Sequence, residues 1–379
     1  MGTTTAIATL TAAFDHAGWR EVANRDEPLV VMSWPSVPAE IIRAAGLRPV
    51  VARGASTATP LADAHLEADI FPSRLRHLVE AALTGRLSHV ARIVIPRTSD
   101  PDYKCFLYLR EFVRRGVLGA LPPTLLFDVL QSSGAVVRDY VVDRTRALAE
   151  ALASVTGHMP SDDELRKEIT RTNAARAAAR RLVSLRRVTP RVAGRDAFPL
   201  LGAFWQLPPD EYAALAGAAA DEIALRPPLA GPRVLLAGAP TDTPTLHAVI
   251  ESCGGIVVDE MSPWGSDAAG DDVDGDVEPI SALSDKYRSD SIGARIPVAD
   301  LQRRTTDALN EIDAVVVSLP PDDMVFWWDY PALREVLDAR HIPHVCLHGD
   351  PYQPITTADR ARLDTVIAAA PQRHEARRG

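Results

Sequence analysis

The chain has 379 residues, 46% of them apolar and 24% charged, with 50 acidic against 41 basic residues and a net charge of -9. That is the composition of a globular protein long enough for two ordinary domains, and its acidic balance argues against general nucleic-acid binding, which needs a basic surface. Cys105, Cys253 and Cys346 form no Cys-x-x-Cys pair and fit a reducing compartment. Met1 to Leu10 lacks the basic start and apolar core of a signal peptide, and no apolar run reaches the roughly 20 residues of a bilayer span. The expectation is a cytoplasmic protein with neither nucleic acid nor membrane as partner.

Leu29 to Met32 reads as a buried strand that runs into a loop at Ser33-Trp34-Pro35. Pro38 to Gly46 reads as a helix: Pro38 suits the first turn, Glu40 the positive end of the dipole, and Gly46 the cap. Leu47 to Ala52 is the next strand, which makes a β-α-β unit and implies a parallel sheet. Phe71 to Leu83 carries helical periodicity. Val90 to Pro96 is a strand that ends in Thr98-Ser99-Asp100, Cys105 to Gly116 a helix, and Thr124 to Asp128 a strand. Ligands of parallel sheets sit at the carboxyl ends of strands, so Ser33-Trp34 and Thr98-Ser99-Asp100 stand in site-like places.

Arg138 to Leu185 accommodates two helices, the first ending near Thr156-Gly157 and the second starting at Ser161, where Ser161 and Glu164 have capping-box spacing. The dense arginines between 166 and 187 fit a phosphate-binding face or a solvated surface of i,i+4 ion pairs, and the latter is the commoner use. Pro208 opens another helix, and Arg226 to Pro232 is the clearest linker. The expected division is an N-terminal α/β subdomain at 1–135, a helical connection at 136–230 and a C-terminal α/β subdomain at 231–379.

A second β-α-β unit follows: Arg233 to Pro240, Thr245 to Cys253 and Ile256 to Glu260. Gly238-Ala-Pro240 lacks the spacing of a dinucleotide fingerprint, and the acidic stretch Asp267 to Glu278 lacks that of a calcium loop, so it reads as a mobile surface loop. Asp313 to Leu319 is a buried strand, Pro331 to Arg340 a helix and His344 to Leu347 a last strand. Phe326, Trp327 and Trp328 fit either a stacking platform for an aryl or adenine group or an interface core. His341, His344 and His348 have no common strand geometry for a metal.

Pro38 to Gly46, Ile95 to Asp100, Arg233 to Pro240 with Gly254-Gly255 and Asp259-Glu260, and the run from Asp313 through Tyr330 to Asp350, in that order, resemble the 2-hydroxyacyl-CoA dehydratase and benzoyl-CoA reductase family, in particular the D-component of 2-hydroxyglutaryl-CoA dehydratase. The resemblance implies two flavodoxin-like or Rossmann-like parallel-sheet subdomains. It further implies paired subunits, an acyl-CoA ligand, a [4Fe-4S] cluster held by three cysteines and an ATP-dependent activator. The three cysteine positions fall within Phe71-Pro72-Ser73, where Ser73 is the candidate, at Ser99 and at Ser262, and none of them is a cysteine here. A hydroxyl is a poor ligand for iron–sulfur chemistry. The resemblance thus implies no cluster in this chain, and a heterodimer with a related, cysteine-bearing subunit that holds one.

Three functions stay open on these residues. The first is a subunit of a dehydratase- or reductase-like complex that contributes part of an acyl-CoA pocket. The second is a cluster-free enzyme doing non-redox chemistry on a thioester, with Glu40, Ser99 and Asp100 as catalytic candidates and Ser262 and Asp350 in reserve. The third is an acyl-CoA-binding regulator. Ser33, Trp34, Arg43, Arg97, Lys104 and Trp264 are the candidate substrate-binding residues, and no metal ligand set is assigned.

Overall fold

The computed structural model describes residues 5–16, 28–67, 69–118, 121–130, 132, 134–289, 306–323 and 325–378. Met1 to Thr4 of the N-terminal stretch lie outside them; the rest of that stretch enters helix α1 (Ala6–Asp15), which buries Leu10 and Phe14.

Strands β1 (Leu29–Met32), β2 (Arg48–Val51), β3 (Val90–Pro96) and β4 (Thr124–Phe127) form a parallel sheet in the order β2-β1-β3-β4. Strands β5 (Arg233–Gly238), β6 (Ile256–Glu260), β7 (Ala314–Ser318) and β8 (His344–Leu347) form a second in the matching order β6-β5-β7-β8. Continuous apolar runs produce these strands because both faces of each sheet are covered. Val31 faces Val50 and Ile93 across its neighbours, and Leu236 faces Val316. The fold is α/β with two parallel-sheet subdomains, as the sequence implies.

In the first sheet, Val31, Ile93 and Ile95 share a core with helices α3 (Pro60–Asp63), α4 (Ser73–Leu83) and α5 (Asp100–Arg114) through Ala62, Leu75, Leu78 and Leu109. The opposite face, with Val30, Met32 and Val94, joins a larger core with α1, α2 (Ala39–Ala44), α6 (Ala135–Thr156), α7 (Asp162–Arg187), α8 (Gly194–Gly202), α9 (Pro209–Ala224) and α11 (Pro279–Ser289). The second sheet is covered by α12 (Phe326–Ala339) on one face, and by α10 (Thr245–Ser252) and α13 (Thr357–Arg378) on the other.

Helix α7 begins at the Ser161 capping box, and its 26 residues make a rod about 39 Å long. Most of its arginines keep the expected solvated, ion-paired surface, Arg166 with Asp162 and Arg171 with Glu168 among them, but two depart from it. Arg176 and Arg186 are 2% and 0% exposed. Arg176 Nη2 donates to Glu40 at 2.6 Å, and Arg186 Nη2 donates to Glu260 at 2.9 Å. One helix thereby bolts to α2 of the first sheet and to β6 of the second.

Three further expectations are corrected. The segment from Asp267 to Glu278 is a docked loop: Ala268, Ala269 and Val273 are buried, and Asn173 on α7 bonds both the N–H and the C=O of Val273. Helix α5 starts at Asp100 rather than Cys105, because Ser99 caps it and Pro101 suits its first turn. Helix α12 starts at Phe326 rather than Pro331, because Asp323 caps it by accepting from the amides of Val325, Phe326 and Trp327.

Candidate functional site

The carboxyl ends of both sheets open into one cavity of about 550 Å³. Trp34 follows β1, Thr98 and Ser99 follow β3, Thr241 and Asp242 follow β5, Asp322 and Asp323 follow β7, and Asp350 and Tyr352 follow β8. A ligand position at the switch points of two open parallel sheets is where this architecture places chemistry.

On the first-sheet side, Asp102 is fully buried and collects a network. Arg74 grips it through both guanidinium arms, at 2.8 and 3.0 Å. Ser33 Oγ donates to it at 3.1 Å and Ser99 Oγ at 2.5 Å, and its own backbone N–H returns to Ser99 Oγ. Arg74 also donates to the Ser33 carbonyl at 3.0 Å, and its guanidinium lies 4.5 Å from the centre of the Trp34 ring. Asp102 answers the charge of Arg74 and turns the start of α5 into a fixed wall.

A clasp joins the two sheets beside this wall. Arg53, just past β2, donates to the Asp242 carbonyl at 3.1 and 2.9 Å and to the Phe14 carbonyl. The Asp242 carboxylate accepts from Gly54 N–H at 2.7 Å and from Tyr352 OH. Gly54 is required here, because a Cβ would meet Tyr352 Oη at 2.6 Å and Ser73 Oγ at 2.7 Å.

On the second-sheet side, Asp323 is consumed by capping α12. Asp350 Oδ1 accepts from Tyr352 N–H at 2.8 Å. Asp322 is largely buried, and among the described residues no side chain donates to it. Burial pushes its carboxyl up to about 6; the charges of Asp350 and Asp323 push the same way, and its own amide and Arg74 only partly offset them.

The three positions where the resemblance puts cluster cysteines are hydrogen-bonded serines. Ser73 Oγ donates to the Ala55 carbonyl at 3.2 Å and stands 3.2 Å from His77 Nδ1. Ser99 caps α5. Ser262 Oγ is buried, donates to the Thr241 carbonyl at 2.6 Å and accepts from Trp264 N–H. The cysteines offer no substitute: burial pushes the Cys105 thiol up to about 12 and those of Cys253 and Cys346 up to about 11, so none is a ready thiolate. The residues present do not fit an iron–sulfur cluster.

Of the residues singled out from sequence, Trp34, Ser73, Ser99, Asp100 and Asp350 line the cavity. Ser33 stands behind the wall through Asp102. Glu40 does not reach the cavity: it is buried between Arg176 and Tyr287, whose OH donates to it at 2.8 Å. Burial alone would raise its pKa, but Arg176 and Arg43 outweigh that and hold it below the usual carboxylate range. Arg43 is bonded to Glu168 at 2.9 Å and Thr172 at 2.6 Å, Arg97 reaches Asp128 at 3.5 Å, and Lys104 is exposed on α5. Trp264 is fully buried against Phe14, 6.1 Å between ring centres. None of these four lines the cavity. Asp102, Arg74, Asp242, Asp322 and Tyr352 escaped the sequence reading, although Asp102 shares the Thr98-to-Asp102 turn and stands three residues after Ser99, the spacing of a capped helix start. Phe326 lines the cavity, while Trp327 stacks on His348 at 4.4 Å and Trp328 is exposed.

A family model for the D-component of 2-hydroxyglutaryl-CoA dehydratase matches residues 36–368. No curated protein matches the chain. The matched span contains every strand from β2 onward and every cavity-lining residue named above except Trp34. The chain belongs to the 2-hydroxyglutaryl-CoA dehydratase D-component family.

Proposed function

We propose that this family member is a subunit of a 2-hydroxyacyl-CoA dehydratase-like or aryl-CoA reductase-like complex, that it takes the acyl end of a CoA thioester into the cavity between its sheets, and that it does so without a cluster of its own. The observation that carries the reading is the cavity itself: it lies at the carboxyl ends of both sheets, two of the family's ligand positions, Ser73 and Ser99, are hydroxyls on its walls already committed to hydrogen bonds, and the third, Ser262, is a buried hydroxyl bonded to the Thr241 carbonyl. The wall charges support a division of the ligand. Among the described residues seven aspartates and two arginines line the space, so the CoA phosphates stay outside it and the acyl and pantetheine portions enter.

Electron transfer then belongs to a related, cysteine-bearing partner and to the ATP-dependent activator that serves it. This chain contributes pocket walls and the rigid Arg74–Asp102 floor. The test is iron and acid-labile sulfide per polypeptide after anaerobic purification and attempted reconstitution, for the chain alone and after co-expression with the cysteine-bearing subunit. The expected result is no iron in the lone chain and a stable iron-bearing hetero-oligomer in the pair. Stoichiometric iron in the lone chain, or a chain that stays apart from its relative, overturns the proposal.

A further inference from the structure

We propose that the second-sheet half of the cavity binds an organic ammonium group, with Asp322 as its anchor and Asp350 as its second carboxylate. The inference rests on the reading of the cavity as the acyl site and narrows its substrate: a thioester whose acyl end carries a protonated amine.

The argument is one of charges and partners. Both cations that the described residues give the cavity wall are engaged. Arg74 is locked on Asp102, and Arg76 reaches Asp63 at 3.4 Å. Among the carboxylates, Asp102 is answered by Arg74, Asp242 by Gly54 and Tyr352, and Asp323 by three helix amides. Asp69 is exposed to solvent and Asp350 accepts only from the Tyr352 amide, which leaves Asp322 as the carboxylate removed from water with no side-chain partner among the described residues. It is largely buried, has Asp350 and Asp323 as neighbours, and no described cation forms an ion pair with it. A desolvated carboxylate in that position needs a proton or a counter-charge.

The first-sheet half shows the arrangement with the counter-charge in place. There the guanidinium of Arg74 lies between a carboxylate and the face of Trp34, at the carboxyl ends of adjacent strands. The second-sheet half repeats the components: Asp322 and Asp350 follow the adjacent strands β7 and β8, and Phe326 and Tyr352 complete the wall. Among the described residues it has no resident cation. An alkylammonium supplies the charge, and its carbon chain suits the aromatic and proline surfaces around it. A carboxylate or phosphate in the same place would add to an uncompensated negative field.

The experiment uses n-butylammonium, 1-butanol and butyrate as probes of equal length, followed by saturation-transfer NMR on the full chain at pH 7.5 and moderate salt. Saturable binding of butylammonium is expected, with butanol at least about tenfold weaker and butyrate undetected. Asp322→Asn weakens butylammonium at least about fivefold, and Asp350→Asn does so to a smaller degree. Affinity also falls below pH 6, as Asp322 takes up a proton in the presence of Asp350, Asp323 and Arg74. Butyrate binding as well as butylammonium overturns the proposal, and so does undiminished butylammonium binding by both variants. Coenzyme A alone, run in parallel, separates the two readings. Its binding without butylammonium binding sinks the ammonium site and spares the thioester site, and the reverse outcome does the opposite.

Discussion

Asp102 and Asp322 face the same cavity, and their surroundings make them opposites. Asp102 is fully buried and fully answered, so its partner is the vulnerable point: Arg74→Met strands a buried charge and costs about 3–5 kcal/mol, read as a lowered urea midpoint at unchanged m-value. Asp322 is unanswered, and its carboxyl is pushed from 3.8 up to about 6. An acid whose folded pKa is raised binds more protons folded than unfolded between those values, so stability falls as pH rises from about 4 to about 6. Asp322→Asn therefore raises the melting temperature at pH 7, by up to about 2–3 kcal/mol of stability, and flattens that part of the pH profile. A variant less stable than the parent at pH 7 would contradict this account. These roles were hard to read in the sequence. Glu40 looks like a helix-end carboxylate at a strand–helix junction, and only the arrival of Arg176 from 136 positions away makes it structural. Asp322 sits in a Pro-Pro-Asp-Asp run that reads as a turn, and its neighbour Asp323 does the capping.

Strands were legible because burial on both faces leaves mostly apolar runs: Leu29 to Met32 is unbroken, and Val90 to Pro96 and Ile256 to Glu260, each with charged residues among the apolar ones, also stand where the sequence puts them. Helix starts were less legible where the cap lies several residues upstream of the apolar pattern, as with Ser99 for α5 and Asp323 for α12. Glycine gives a sharper test at this scale. Gly157 ends α6 at φ 73, and a Cβ added there would meet nothing within 4 Å, so Gly157→Ala costs only the left-handed backbone strain, about 1 kcal/mol. Gly238 ends β5 at φ 97, and a Cβ there runs into the backbone carbonyl of Ser318 on β7. Gly238→Ala adds that clash to the strain and costs at least about 2 kcal/mol more than Gly157→Ala, measured by paired denaturation curves. Equal costs would mean that β5 and β7 separate easily at their carboxyl ends, where the cavity begins.

At the scale of the molecule, two four-stranded sheets of matching order are joined at two levels. Helix α7 holds them at one side through Arg176–Glu40 and Arg186–Glu260, and the Arg53–Asp242–Tyr352 clasp holds them at the cavity. The sequence shows the repeated β-α-β pattern but not these joints, because each pairs residues more than 100 positions apart or depends on loops with no periodicity, save Arg186–Glu260, which still spans 74. The two joints have different consequences. Arg53 is buried, and it satisfies the carbonyls of Phe14 and Asp242 while its guanidinium lies 3.5 Å from the centre of the Phe14 ring. Arg53→Met leaves those carbonyls without donors and breaks the clasp, but it leaves every α7 ion pair intact. Hydrogen exchange in this variant is therefore expected to quicken at Thr241 to Thr243, at Tyr352 and along α1, while Val31, Ile93 and Val316 keep the protection of their sheets. Faster exchange spread evenly over both sheets would show instead that clasp and cores open as one unit, and the cavity would then have no wall able to move independently of the fold.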